Sequence, residues 1–377
     1  MEALGQDASL VGRSDHAKRR VDNHAAAYCQ PQLNAGVFKG AFFLSKDAPM
    51  MKSIAPDIST REHPTMTITS NIRTVTYKNL GWHSAADIYL PPNFDETKKY
   101  PAIVSTHPIG SCKEQTSGNV YAAALAKEGF VVIAFDASFQ GASGGEPRFI
   151  EDPAIRVSDI RFAIDYLVTL PYVDENRIGA IGVCGGGAYT ISAAMTDRRI
   201  RALTSITGVN FGRLMREGFS NFDPVSALEA MARQRTAEAK GAQRNVINYL
   251  PGSVEEGRKN GVTDIDVLEA TDYYTSPRGQ QPHGATSGLF SFNSAAMGWD
   301  AFLQAEVLLT QPLMIVIGDK PGGFGAYRDG WEIYGRAASK DKHIVVAEGW
   351  SHYDLYDKPE PVALALAKVV PFFKEHL

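Results

Sequence analysis

From Thr67 onward the apolar positions follow two rhythms. Thr67 to Thr69, Ile72 to Tyr77 and His83 to Leu90 alternate apolar with polar residues, are rich in β-branched side chains, and stop at Pro91-Pro92-Asn93. Alternation puts every second side chain on one face of an extended chain, so these segments are expected to enter a sheet as two antiparallel strands. The runs Ala102 to Thr106, Phe130 to Phe135, Ile178 to Val183, Ile200 to Thr207, Pro312 to Ile317 and His343 to Ala347 are instead apolar almost without a break. Strands of that kind need cover on both faces. Helical segments near Thr116 to Lys127 and Val157 to Leu170 separate the first three runs, and a helix from about Pro361 to His376 closes the chain. The expectation is an α/β fold with a mostly parallel central sheet covered by helices on both faces.

The strand rhythm breaks over residues 209–311. Asp223-Pro224 supplies a helix N-cap and a helix-starting proline, and Val225, Leu228, Met231 and Ala232 then share one face, which predicts an amphipathic helix. Tyr273, Tyr274, Phe290, Phe292, Met297 and Trp299 follow as an aromatic-rich stretch. Inserted after a strand of an open sheet, such a segment can cover the C-terminal strand ends where ligands bind, so it is expected to be a helical lid over a largely apolar acyl pocket. Residues 1–65 are polar, carry no sustained period, and hold apolar islands only at Val37 to Leu44. They are expected to form a partly disordered extension ahead of a domain spanning 66–377.

With 377 residues, 44% of them hydrophobic, the chain can bury a substantial core. A formal net charge of -4 and no basic block beyond Lys18-Arg19-Arg20 give no nucleic-acid surface. No apolar run reaches the roughly 18 residues that a membrane span needs, and the N-terminal residues lack the secretory-signal pattern, so no membrane partner is expected. Cys29, Cys112 and Cys184 are too few and too scattered for a disulfide framework. Free thiols suit a reducing compartment, and the expected location is cytoplasmic.

Candidate chemistry concentrates in RIGAIGVCGGGAYTISAA, Arg177 to Ala194. An apolar strand ending in Gly182-Val183-Cys184-Gly185-Gly186 passes straight into a small-residue helix, which is the form of a nucleophile elbow with Cys184 in the serine's place. A dinucleotide fingerprint fails because Thr190 stands where the third glycine belongs, and no Gly-Lys-Ser/Thr marks a P-loop. A cysteine nucleophile requires a base, an orienting acid and donors for the oxyanion. His352 follows the last strand and fits the base by the order nucleophile, acid, histidine; Asp319, ending the strand before it, fits the acid, with Asp329 and Asp341 as alternatives.

The oxyanion donors should be the Gly185 amide and one from the loop His107-Pro108-Ile109-Gly110. Pro108 has no N–H, so Ile109 is the expected donor, with Gly110 as the alternative. His107 is expected to brace this loop and is counted with Tyr273, Phe290, Trp299 and Trp350 among the residues around the substrate. A neighbouring histidine and a helix N-terminus should favour the Cys184 thiolate. Cys112 is the one nearby thiol for a redox reading of Cys184. His352, Asp354 and Asp357 match no standard metal-ligand spacing, so no metal is expected, nor any cofactor.

His107-Pro108-x-Gly110, Lys113-Glu114-Gln115, the run DASFQGASGGEPR from Asp136 to Arg148, the elbow at Gly182 to Gly187 and SHYDLYDKP from Ser351 to Pro359 together resemble the dienelactone-hydrolase-like branch of the α/β-hydrolase superfamily. The resemblance runs from about Thr67 to the C-terminus and implies the α/β-hydrolase fold. It also implies a Cys-Asp-His triad at Cys184, Asp319 and His352, and kinship with fungal polyketide thiohydrolases and acyltransferases. The extension and the long insertion depart from the compact dienelactone hydrolase pattern.

A thiolate that adds to an alkyl ester is expelled again ahead of the poorer alkoxide leaving group. The expected substrate is therefore a small molecule with an activated acyl bond, a thioester, enol-lactone or aryl ester, hydrolysed through an acyl-cysteine. The acyl-enzyme is itself a thioester, so transfer of a polyketide-type acyl group to an alcohol or amine is the alternative. An inactive scaffold serving as a binding protein is a second.

Overall fold

A computed structural model describes residues 71–218, 223–284 and 286–377. The expected extension over 1–65, the strand start at Thr67 to Thr69 and Cys29 lie outside them. The strands are β1 (Ile72–Lys78), β2 (His83–Tyr89), β3 (Tyr100–Thr106), β4 (Val131–Phe135), β5 (Val173–Val183), β6 (Ile200–Ile206), β7 (Val246–Asn248), β8 (Ser287–Leu289), β9 (Leu313–Lys320) and β10 (Lys342–Ser351). Eight of them form one sheet in the order β1-β2-β4-β3-β5-β6-β9-β10, while β7 and β8 pair with each other. β1 is antiparallel to β2 and β2 to β4; every other pairing in the large sheet is parallel.

Ladder register explains why the inner strands are apolar throughout. Ile133, Val104, Ala180, Leu203 and Leu313 stand opposite one another in neighbouring strands and share one face. They pack in one core cluster with Ile160 and Ile164 of α2 (Pro153–Leu167), Ala188 and Ile191 of α3 (Gly185–Thr196) and Ile333 of α10 (Ala326–Arg336). One residue along, Ile103, Val132, Ile181 and Met314 face the other way, against Leu125 of α1 (Ala123–Lys127) and Val369 and Phe373 of α12 (Pro359–His376). Both faces are thus dry, as a parallel sheet requires.

The first crossover differs from the expected helix: Thr116–Ala122 is a wide π turn, and only Ala123–Lys127 is α-helical. Asp152 and Pro153 start α2 earlier than the apolar pattern suggested, with the Asp152 carboxylate accepting from the Ala154 and Ile155 amides.

Between β6 and β9 the chain carries α4 (Phe211–Glu217), α5 (Pro224–Ala239), α6 (Val254–Lys259), α7 (Ile265–Thr275), α8 (Ser294–Met297) and α9 (Ala305–Leu308), with β7 and β8 among them. α5 begins under its Asp223 cap, but its expected apolar face is open: Val225 and Leu228 are exposed, Ala232 too, and Met231 alone is buried. α7 turns its buried residues Asp266, Ala270, Tyr273 and Tyr274 inward. The short α11 (Asp354–Asp357) follows β10 directly and leads into α12. No helix among the described residues is long and apolar enough to cross a membrane.

Candidate active site

β5 hands over to α3 at Cys184, whose backbone is held at φ 54° and ψ −126°. That region is costly for a residue with a Cβ, and it persists only where the surroundings enforce it. The enforcement comes from close packing: a Cβ on Gly186 would lie 2.7 Å from the His107 carbonyl oxygen, and one on Gly185 would lie 2.5 Å from Ile109 Cγ1. The start of α3 thus rests on the loop after β3. The Cys184 carbonyl accepts from Gly187 at 2.9 Å and from Val209 at 3.0 Å, tying the elbow to the lid's entry. The amides of Gly185 and Ile109, the pair named from the sequence as oxyanion donors, both point at the Cys184 sulfur.

The loop that carries Ile109 is fixed from below. His107 is fully buried; its Nδ1 lies 2.7 Å from the Pro108 carbonyl, and its Nε2 accepts from the Ala137 amide at 3.0 Å. Arg156, also buried, brings Nη1 to 3.0 Å from that Nε2 and donates from Nη2 to the His107 carbonyl. Glu151 pairs with Arg156 at 3.2 Å, and the guanidinium lies over the Tyr189 ring. Burial and the adjacent Arg156 hold His107 well below its usual value, in the neutral form. With both nitrogens committed, His107 is a brace and does not face a substrate.

His352 is buried, and neither Nδ1 nor Nε2 has a hydrogen-bond partner. Its ring stacks on Tyr353 at 4.7 Å, lies 5.5 Å from Tyr356 and meets Phe324 edge-on at 6.0 Å. Burial alone pushes it down to about 3, so it rests neutral. The Tyr356 hydroxyl faces the Cys184 thiol, and Tyr274 and Tyr353 are close enough for that thiol to act on their own ionisation. The hydroxyls of Tyr274 and Tyr356 lack geometric hydrogen-bond partners, as does Oδ1 of Asp266.

The setting of the thiol corrects the sequence expectation of a favoured thiolate. Burial pushes Cys184 up to about 12, against the smaller opposing pulls of Tyr356 and the two amides, and the nearby Asp266 carboxyl pushes it further up. His352 is itself neutral and supplies no compensating charge. At rest the site holds a thiol and an imidazole rather than an ion pair.

Of the carboxylates named from the sequence, Asp319 is exposed at the end of β9 and accepts from the Gly349 amide at 2.7 Å. Asp329 is buried and takes a double hydrogen bond from Arg213 together with the Asn210 amide, while Asp341 pairs with His343 and His376. None of the three bonds to His352. Tyr273 packs in the same core cluster as Cys184 but spends its hydroxyl on the Thr116 amide; its neighbour Tyr274 is the one beside the thiol. Trp350 packs against that cluster too. Phe290 and Trp299 pack on the opposite cluster, with Trp299 against Tyr189.

Cys112 is buried beside Glu114 and Asp136, and burial first, then those carboxylates, raise its thiol well above the usual range. It is a poor resolving partner for Cys184. Glu114, Asp136 and His283 bring ligand atoms within 4.8 Å of one another. Both Asp136 oxygens already accept amide protons, from Lys113 and Ala142, and the Lys113 ammonium pairs with Glu114. Asp354, which entered with His352 and Asp357, pairs with Lys358, and Asp357 with Arg278.

Sequence reasoning missed Asp266, Tyr353 and Tyr356. The tyrosines stood in plain view in SHYDLYD, where a spacing of three puts them on one side of a helical turn.

The X-Pro dipeptidyl-peptidase (S15 family) model matches residues 81–237. The uncharacterized protein YcjY of Escherichia coli is 42% identical over 297 residues, covering 78% of this chain and 94% of its own. The uncharacterized protein PA2218 of Pseudomonas aeruginosa is 33% identical over 313 residues, 81% of each chain. Its crystal structure matches with a TM-score of 0.73 at 30% sequence identity, covering 82% of this chain and 95% of that one. The thiohydrolase aneE of Aspergillus aculeatus is 35% identical over 152 residues, 40% of this chain and 48% of its own. The fold is shared with solved α/β hydrolases.

Proposed function

We propose that this chain, which belongs to the α/β-hydrolase family of YcjY and PA2218, hydrolyses an activated acyl bond through a covalent acyl-cysteine on Cys184. One observation carries the reading: a non-glycine residue strained at φ 54° at a strand-to-helix turn, with two backbone amides aimed at its sulfur. Other non-glycine residues, Phe139 and Thr207 among them, also take positive φ, so it is the pairing of the strained turn with the two amides at the sulfur that supports the reading. Kinship with proteins named thiohydrolase and acyltransferase supports the thioester as the substrate class.

In this mechanism the substrate carbonyl carbon comes to the Cys184 sulfur, and its oxygen turns to the Gly185 and Ile109 amides. The thiol is neutral at rest, so attack and deprotonation are coupled: sulfur forms the bond to carbon as His352 takes the proton. The tetrahedral oxyanion, held by the two amides, collapses and expels the leaving thiolate, enolate or phenolate, which recovers the proton from imidazolium. Water then attacks the acyl-cysteine while His352 takes its proton. Collapse of the second oxyanion releases the acid and returns the proton to the Cys184 sulfur. An alcohol or amine in place of that water makes the same machinery an acyltransferase.

The test is burst kinetics on an aryl ester, an acyl thioester and an alkyl ester, with the intact protein, Cys184→Ala and Cys184→Ser, and mass spectrometry of the trapped adduct. Turnover of the two activated substrates, an adduct on Cys184 and loss of both in Cys184→Ala are expected. Full turnover by Cys184→Ala overturns the reading.

A further inference from the structure

The lid helix α7 is anchored at both loops that flank the imidazole. Asp264 caps its N-terminus and accepts from the Gly323 amide at 2.8 Å, so the helix start is tied to the loop after β9. Farther along, Glu269 accepts from the Ser351 hydroxyl, one residue before His352. Arg278, just beyond the helix, donates to the Tyr353 carbonyl at 2.6 Å and pairs with Asp357 at 2.7 Å.

Asp266 lies between these anchors and is 1% exposed. Its Oδ2 accepts from the Phe324 amide at 2.9 Å, and its Oδ1 has no partner. The Phe324 ring meets His352, and Tyr353, which stacks on His352, is close enough to feel the Asp266 charge. A Cβ built on Gly322 would fall within 2.5 Å of both carboxylate oxygens. The space that a side chain from the β9 loop would fill, where chain order places a triad acid, is therefore taken by a carboxylate arriving from the lid.

Resting on the acyl-cysteine reading above, we propose that Asp266 is the positioning carboxylate for His352, supplied by α7 in place of a side chain at Gly322. Chain order is kept, with Cys184 first, Asp266 next and His352 last. Asp266 Oδ1 and His352 Nδ1 are both without a partner and do not bond each other in this structure; in the proposed role they close on one another, which would fix the tautomer that leaves Nε2 free to take the thiol proton and stabilise the imidazolium that then forms. The acid and the lid are one element, so the triad is complete only while α7 is docked.

The experiment uses the full chain and 4-nitrophenyl acetate, comparing Asp266→Asn, Asp319→Asn, Asp266→Ala and the double variant Asp266→Ala/Gly322→Asp, with circular dichroism to check folding. Gly322 has no positive φ, so the double variant returns the carboxylate to the β9 loop without backbone strain. Asp266→Asn should lower kcat by about 100-fold or more with KM nearly unchanged, Asp319→Asn by no more than about threefold, and the double variant should recover at least about tenfold over Asp266→Ala. The groups that face Asp266 are Asp264 and Glu269 from its own segment, Cys184 from the elbow and Tyr353 from the loop after β10. Burial, then Asp264, pushes it up to about 7, so kcat/KM of the intact protein should fall on the acid side of that pH, and this limb should vanish in Asp266→Asn. A folded Asp266→Asn with kcat within threefold of the parent, or with the acid limb unmoved, overturns the assignment while Cys184→Ala remains inactive. Activity in Cys184→Ala instead removes the mechanism on which it rests.

Discussion

Arg156 and His107 are locked together beneath the oxyanion loop, guanidinium Nη1 3.0 Å from imidazole Nε2, with a second bond from Nη2 to the His107 carbonyl. Arg156 heads the large side chains that are fully buried; its guanidinium pairs with Glu151 at 3.2 Å and also acts on the buried Asp159 carboxyl. Arg156→Met leaves the Glu151 carboxylate buried without its countercharge, although Tyr189 and Gln140 still donate to it, which should cost about 3 kcal/mol of stability. Turnover should fall by about tenfold or more as the Ile109 amide loses its support. Thermal melts and kcat on the same preparation check both; an unchanged melt with full turnover sinks the brace.

The resting thiol makes its own prediction. With Cys184 pushed up to about 12, iodoacetamide should modify it more slowly than a free thiol at pH 7.5, and the rate should climb about tenfold per pH unit up to pH 9.5. Peptide-resolved mass spectrometry separates this adduct from those on the other cysteines. A rate already level at pH 7 means a preformed thiolate and contradicts the coupled proton transfer.

Tyr356→Phe removes the side-chain hydroxyl that favours the thiolate. Alkylation of Cys184 at pH 9 should slow by roughly 3- to 10-fold, while stability changes by no more than about 1 kcal/mol, because a weak contact to sulfur and the desolvation of a buried hydroxyl are removed together. Faster alkylation in the variant means the hydroxyl does not act on the sulfur.

Asp266→Asn should stabilise the protein, and more so in alkali. The folded-state value is raised, to about 7 from an ordinary 3.8, so the native state holds the proton that the unfolded chain releases. Stability from this group is full below about pH 4 and is lost as pH rises through 7, with a ceiling of about 4 kcal/mol. Asparagine carries no such loss. Melts at pH 4.5 and pH 8 should show the variant gaining on the parent at the higher pH; equal gaps at both would mean that the carboxyl titrates normally.

Continuous apolar strands and glycine-flanked Cys184 made the sheet and the strand-to-helix elbow legible in the sequence, because each is a local pattern with one economical fold. α5 was misread since Val225 and Leu228 satisfy a helical period while facing solvent; periodicity reports a stripe, not what covers it. Asp319 attracted the acid's role by its place at a strand end, yet its carboxylate is spent on the Gly349 amide. Asp266 was hidden for the opposite reason. In Asp264-Ile265-Asp266 it reads as one more first-turn acid serving a helix N-terminus, and only tertiary packing against Gly322 sets it apart. Similarity to thiohydrolases and acyltransferases was also readable, whereas the Tyr274, Tyr353 and Tyr356 cluster beside Cys184 was not, because it is assembled from two distant parts of the chain.

The left-handed backbone at Cys184 stores on the order of 1–3 kcal/mol that a glycine there would release. On the acyl-cysteine reading proposed above, that strain is what presenting a sulfur at this turn costs, where foldedness alone would favour glycine.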